Sequence, residues 1–558
     1  MRSIKARLSV LLSALVFTLT PLMSEVRAEE GALSGVPVET LYLLHLDGAK
    51  LRYTPEKFLV SDLNSMEAGH PLEAMFKTLW ADLKTHMKAG TLDQLGLKAL
   101  KESSYTVYSL GLWPVLDIPI ASQKKFARWI AKTAKTSKAK LSKDGKRLFY
   151  STDYNGTPSE LSVALYRRDR VRISWYPAEF SKGLSPHLMG KAPATSFSSK
   201  FKKLSAEYQL SDGNIFWADI KGAIATLLGR GEGLNAAHGL TRADRLQLPS
   251  VCVDEAIELS AHVQYLLSGT KATQGTQATS EDYYAVLKLS PVVAEALTAL
   301  NGEQLYLPTS KGAVLSLGLG VNVKGILGVA NKLLSYLQAR SLQCEDLKRM
   351  INPQAAQAKL SMLPPFAQQL RGFGVALYSI NKPNPSAIIL SAERAPALMQ
   401  VLKSMIPQLR QLQLPAPGAP AEPVQGLPIP PAMGKVFAQL TQDAFGLGVS
   451  EQGAKVLKAT LAAPPAQGLF LSMQYDLQAL LSNFKQYMNR AKQQRRALEL
   501  QRARSKALAE GREPPTELPE SNDDLDDLFE STGVKGFSME SRFTKRGLEF
   551  DTTMSYLK

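Results

Sequence analysis

The sequence predicts an α+β fold: two tandem, internally duplicated domains of antiparallel sheet with packed helices. Three observations lead there. The chain has 558 residues, too many for one hydrophobic core. A strand–cap–helix unit recurs along it, most plainly at Asn214 to Leu228, where the branched and aromatic run Ile215–Ala218 precedes Asp219, and Ile220, Ile224, Leu227 and Leu228 then follow at helical spacing. And the order of elements in the first half returns in the second.

In chain order, the first strand is Leu41 to Leu46, ending at Asp47, and an amphipathic helix is expected over 71–87. A hairpin follows at Tyr105–Ile120, interrupted by Trp113-Pro114, where a proline cannot donate to a ladder. Ser122 caps a helix over 124–135, and Asp144-Gly145 makes a tight turn into a meander at 148–176. A helix near 178–188 and the 214–228 unit close this half. In the second half a hairpin at Phe373–Leu390, a helix over 395–409, meander strands at 436–449 and a strand–cap–helix at 469–484 repeat that order. Tyr283 to Leu289 before Ser290-Pro291, and Val314 to Val321 before Asn322, are further units of the same kind. The apolar stripe Val323, Ile326, Leu327, Ala330, Leu334 and Leu337 after Asn322 is expected to be a core face. The glycine-rich loop 229–233 follows a helix, so it is read as a helix stop and linker rather than a phosphate loop. The domains are therefore placed at 29–245 and 246–558, the second interrupted by a proline-rich loop at 415–431 and a basic helical arm at 485–512.

Residues 1–28 read as a signal peptide. Arg2, Lys5 and Arg7 precede the apolar run Leu8 to Thr20, and Val26-Arg27-Ala28 fits a cleavage site before Glu29. An uncleaved anchor is the alternative. No later stretch has the length and apolarity of a membrane helix, so no transmembrane span is expected after processing. The location expected is periplasmic, or else secreted, which argues against nucleic acid as a partner.

The formal charge is +16, and +13 once residues 1–28, with four basic side chains and Glu25, are removed. An exported protein this basic suits anionic lipid, lipopolysaccharide or an envelope protein. The densest cations are Lys124, Lys125, Arg128, Lys132 and Lys135, followed by Arg167, Arg168, Arg170 and Arg172, with Trp113, Trp129, Trp175 and Tyr176 among them. These residues are the candidate anionic-ligand surface; a merely solvated basic face is the competing reading. The two cysteines, Cys252 and Cys344, suggest one disulfide in an oxidising compartment, with two separate buried thiols as the alternative.

No catalytic motif stands out. The six histidines, His45, His70, His86, His187, His238 and His262, include no pair three or four apart, so no helical metal pair exists. Ser199 to Lys202 satisfies Ser-x-x-Lys, a pattern common by chance. No metal or cofactor is expected. The acidic residues between Asp523 and Glu530 lack the glycine and ligand alternation of a calcium loop.

Several stretches resemble a family of exported bacterial proteins known only as a domain of unknown function: Val36 to Leu43, Gly111 to Asp117, and the segments beginning Cys252-Val-Asp-Glu and Cys344-Glu-Asp-Leu. The resemblance implies a periplasmic α+β protein and brings no catalytic residues. The expectation is an exported, non-enzymatic protein that binds an anionic envelope component or partner protein. The alternative is an envelope hydrolase with its active site in an inter-domain cleft, for which His45, His187 and His262 are the first residues to test.

Overall fold

A computed structural model gives the fold. It describes residues 35–47, 79–98, 104–237, 248–302, 313–425, 434–480 and 534–556, short gaps aside, and a few residues elsewhere. The signal-peptide reading, the start of the 71–87 helix, most of the 485–512 arm and the acidic stretch lie outside the described residues.

The chain forms two compact units. The first comprises Met1–Ser290 and Leu342–Ile351, the second Pro291–Ser341 and Asn352–Lys558. The junction expected at 245/246 therefore differs from the observed one. The strands that follow it, Val263–Lys271 and Ser280–Leu289, are laid beside the strand Leu210–Asp219 of the first unit by their hydrogen bonds, so they extend that sheet.

Among the described residues the first unit holds ten strands: β1 (Tyr42–Asp47), β2 (Ser104–Leu110), β3 (Trp113–Pro119), β4 (Lys140–Asp144), β5 (Arg147–Tyr154), β6 (Thr157–Ala164), β7 (Arg170–Pro177), β8 (Leu210–Asp219), β9 (Val263–Lys271) and β10 (Ser280–Leu289). They pair antiparallel throughout, in the order β10-β9-β8-β1-β2-β3-β7-β6-β5-β4. Alternate side chains serve opposite faces. On one face Leu43, Tyr108, Val115, Tyr176 and Trp217 pack with Leu184 and Leu188 of helix α2 (Ser181–Leu188; α1 is Gln123–Thr136) and Phe197, Phe201 and Leu204 of α3 (Phe197–Tyr208). On the other, Ile118, Tyr150, Leu161, Val163 and Val171 meet Phe126, Ile130 and Ala134 of α1 (Gln123–Thr136). Leu79 and Leu83, from the helix expected over 71–87, pack on that second core.

Asp219 closes β8 and opens α4 (Ile220–Leu227), its carboxylate accepting the Gly222 amide at 2.8 Å. Two further short helices follow, α5 (Gly233–Ala237) and α6 (Ser250–Ser260). The chain returns to this unit at 342, where Cys344 precedes the short helix Glu345–Met350 and is disulfide-bonded to Cys252 of α6. The Glu255 carboxylate accepts the amides of Gln343 and Cys344 at 2.6 and 3.0 Å. The expected disulfide is thus present, inside the first unit rather than the second domain.

Among the described residues the second unit adds nine strands: β11 (Leu315–Gly320), β12 (Leu370–Leu377), β13 (Ser386–Ala392), β14 (Glu422–Pro423), β15 (Val436–Leu440), β16 (Ala444–Val449), β17 (Leu471–Asp476), β18 (Val534–Thr544) and β19 (Gly547–Tyr556). They too are antiparallel, in the order β19-β18-β17-β11-β12-β13-β16-β15-β14. Helices α7 (Pro291–Leu297) and α8 (Val323–Ala339) precede β12 in the chain, and α9 (Ala395–Met405) and α10 (Ser450–Ala462) follow β13 and β16. Asn322 caps α8 by accepting the Gly325 amide at 2.9 Å, and Asp476 accepts that of Ala479 at 2.9 Å. Helix α10 sits so close to the sheet that a Cβ on Gly446 would come 2.1 Å from Leu457, which explains the glycines of β16. The described part of the proline-rich stretch turns at Gly418, where the Ala419 amide donates to the Ala416 carbonyl at 2.9 Å, and contributes β14.

Candidate functional site

The side of α1 turned from the sheet carries the predicted cations. Phe126, Ile130, Thr133 and Ala134 are buried, while Lys124, Lys125, Arg128, Lys132 and Lys135 are all exposed. The helical period separates the two sets, because every third or fourth residue shares a face. The helix QKKFARWIAKTAKT has no acidic residue to offset them, although like charges four apart destabilise a helix by a few tenths of a kcal/mol per pair. Lys125 leans toward Asp93, 3.6 Å from its carboxylate. Trp129 donates from its indole nitrogen to Asp82 at 3.0 Å, so its ring is tied down beside the cations.

The turn between β6 and β7 adds Arg167 and Arg168, both exposed. Gln123 at the start of α1 donates to the Arg167 carbonyl at 2.6 Å, and the Ile120 amide donates to the Asp169 carbonyl at 2.7 Å. Seven of the nine predicted cations are therefore solvent-facing, on one helix and the turn bonded to its first residue.

Arg170 and Arg172 are a correction. They lie in β7 and are 5 % and 1 % exposed, so they form no part of a surface. Asp117 of β3 stands directly across from Arg172 in the register. Its carboxylate accepts Arg170 Nε at 2.6 Å, Arg172 Nε at 3.2 Å and the Tyr166 hydroxyl at 2.6 Å. The remaining guanidinium hydrogens reach main-chain carbonyls: those of His187 and Gly35 from Arg172, and that of Ser104 from Arg170. Buried charges require such pairing. Burial and then the Asp117 charge push the Tyr166 hydroxyl up to about 12, so it stays protonated and donates. The network draws β3, β7, α2 and the Gly35 segment together, and its role is structural.

The three histidines named for a hydrolase are not assembled into a catalytic group. His45 is fully buried on β1, its Nδ1 2.8 Å from the Thr106 hydroxyl, and burial followed by the Arg170 charge lowers it to about 3. His187 lies in α2, lowered mainly by burial. His262 places Nδ1 2.7 Å from the Ser290 hydroxyl, using the nitrogen that a nucleophilic triad reserves for its carboxylate. Ser199 and Lys202 face solvent on α3, whose Phe197, Phe201, Leu204 and Tyr208 are buried; that helix went unread in the sequence. Among the described residues no cluster of three or more His, Cys, Asp or Glu could hold a metal ion. Among them, too, no helix is long and apolar enough to cross a membrane.

No family model matches this chain. No curated protein matches it either. Two solved structures are similar, crystal form I and crystal form III of TP0453, at 14 % and 13 % identity. Each match covers 46 % of this chain, and 78 % and 79 % of the other, with TM-scores of 0.22 and 0.24. At such values the likeness assigns neither fold nor function to this chain.

Proposed function

We propose that this is an exported, non-enzymatic protein of the cell envelope that binds an anionic surface through the outer face of α1 and the adjoining Arg167–Arg168 turn. The observation that carries this reading is the strict division of α1. Its apolar residues are spent on the sheet, and its five cations, with no acidic residue on the helix, are all exposed. A cation near an anionic lipid surface contributes about 1 kcal/mol, so such a group gives useful affinity without any pocket. The indole of Trp129 beside them suits a headgroup interface. The disulfide fits an oxidising compartment.

The test is co-sedimentation with phosphatidylglycerol vesicles at low and high salt. Binding at low salt that weakens as salt rises is expected, since surface charges are screened beyond about 8 Å at physiological ionic strength. Absence of binding at low salt ends the proposal.

We also infer that the two units descend from a tandem duplication. Supporting this, β8-β1-β2-β3-β7-β6 and β17-β11-β12-β13-β16-β15 follow one another in the same order. A helix follows β3 as one follows β13, and β8 and β17 both end at a capping aspartate.

A further inference from the structure

The second unit contains an unfilled apolar slot. The sequence reads the stripe on α8 as a core face, yet only Val323 and Val329 of that helix are buried, and Ile326 is 37 % exposed. Beside the helix lies a half-open groove of about 470 Å³. Ile326, Val329, Ala330 and Leu333 of α8 form one wall; Leu319 of β11 and Phe470 form the other. Every side chain lining it is apolar.

A second hollow of equal volume lies at the first turn of α8, with Thr298, Asn301, Asn322 and Gln467 in its lining. The two spaces are contiguous in the chain: Leu300 borders one and Asn301 the other, as do Val321 and Asn322. Neighbouring residues of the chain thus border an apolar groove and a neutral, amide-lined hollow. The apolar surface also continues along the sheet. Leu319 faces Phe373 and Leu317 faces Val375 across the β11–β12 pair, and Val375 faces Ile388 on β13, with Phe373 and Ile388 37 % and 41 % exposed.

We propose that this slot binds a single linear acyl chain, its polar end lying at the Asn301–Asn322 mouth. Apolar surface left against water is stabilised when a hydrocarbon covers it. The volume is roughly three times that of the ~150 Å³ apolar cavity that accommodates one benzene, room for a chain on the order of a dozen carbons. A partner helix, about 10 Å across, does not enter between a helix and the sheet it packs on. The outward side of α8 carries Lys324, Asn331, Lys332 and Gln338, so the apolar groove lies on the sheet side of the helix. The inference is independent of the cationic face of α1.

The test is calorimetric titration of the full chain with palmitate and with 1-palmitoyl lysophosphatidylglycerol, the eight-carbon octanoate serving as a short-chain control. The expected result is saturable binding near one per chain, tighter for sixteen carbons than for eight, with a negative heat-capacity change. Binding of palmitate identifies a free fatty acid as sufficient; binding of the lysolipid alone identifies the esterified chain. Ala330→Trp, which fills the slot, and Ile326→Gln, at its half-open rim, are each expected to weaken binding at least tenfold with unchanged circular dichroism. Should the tryptophan variant misfold, the rim variant decides. Lys132→Glu is expected to leave acyl binding unchanged, so failure of vesicle binding and failure of the slot are separable. No saturable binding of either sixteen-carbon ligand, or binding indifferent to a folded slot variant, overturns the proposal.

Discussion

Arg170 Nε lies 2.6 Å from Asp117 Oδ1, where the guanidinium is 6 % and the carboxylate 1 % exposed. One carboxylate therefore offsets two buried guanidiniums, since Arg172 shares it. Replacing Asp117 by Asn keeps the shape and removes the only acidic side chain bonded to either guanidinium among the described residues. The expected cost is about 3–5 kcal/mol, the range for breaking a buried ion pair from one side. Urea denaturation monitored by tryptophan fluorescence measures it, and a loss below about 1 kcal/mol would show that the network is not holding β3 to β7.

Acid should weaken the first unit through His45. In the fold its imidazole is lowered to about 3, by burial and then by Arg170, against an ordinary value of 6.5. Between those values the unfolded chain binds a proton that the folded chain refuses. This contribution is therefore complete above pH 6.5 and is lost as pH falls toward 3, amounting to about 2 kcal/mol at pH 5. His45→Gln keeps a hydrogen-bonding partner for Thr106 and removes the titration. Denaturation midpoints at pH 7 and pH 5 should lie closer together in the variant than in the native chain.

Reduction of Cys252–Cys344 releases a loop spanning 92 residues. On the chain-entropy account the bond contributes about 4.5 kcal/mol. A Cys252→Ala/Cys344→Ala variant is expected to lower the melting temperature and to speed hydrogen exchange at the amides of Gln343 and Cys344, which donate to Glu255. Unaltered exchange there would mean that Glu255 alone docks the segment.

Charge reversal on α1 should act on rate and salt dependence rather than stability. Arg128→Glu with Lys132→Glu is expected to reduce vesicle binding at least tenfold at low salt and to flatten its salt dependence. Thermal melts should move little, because both side chains are exposed. A change in stability without a change in binding would leave α1 a solvated face and nothing more.

The cap residues give the smallest effects. Asp219→Ala and Asn322→Ala each remove an acceptor for a first-turn amide, for an expected cost of about 1 kcal/mol apiece. Denaturation midpoints of the two single variants and the double variant measure this, and the two effects should add.

Much of this fold was legible because its signals are local. Asp219, Asn322 and Asp476 each follow a strand and each accept the amide three residues on, as short polar side chains before an apolar helical run should. The hairpin at β18–β19 was equally plain. What escaped is non-local. Arg170 and Arg172 belong by composition to the same basic run as Arg167 and Arg168, but the turn leaves the second pair in water and β7 carries the first pair inside. Only the register with Asp117 decides this, and register is not written in a run of charges. The domain junction was misplaced for a similar reason: a glycine-rich loop marks a stop, while β9 and β10 pair back to β8. The α8 stripe has the period of a core helix, and periodicity records which residues share a face without recording whether anything fills the space opposite.

The path of the chain has a practical consequence. Ser290 leaves the first unit and Leu342 re-enters it, so neither unit is encoded by one uninterrupted stretch. A truncation at 290 strands Cys252 as a lone thiol, and one beginning at 291 carries the other sulfur into the wrong fragment. A protease that cuts once between 261 and 343 yields two pieces still joined covalently, migrating as one band until a reductant is added.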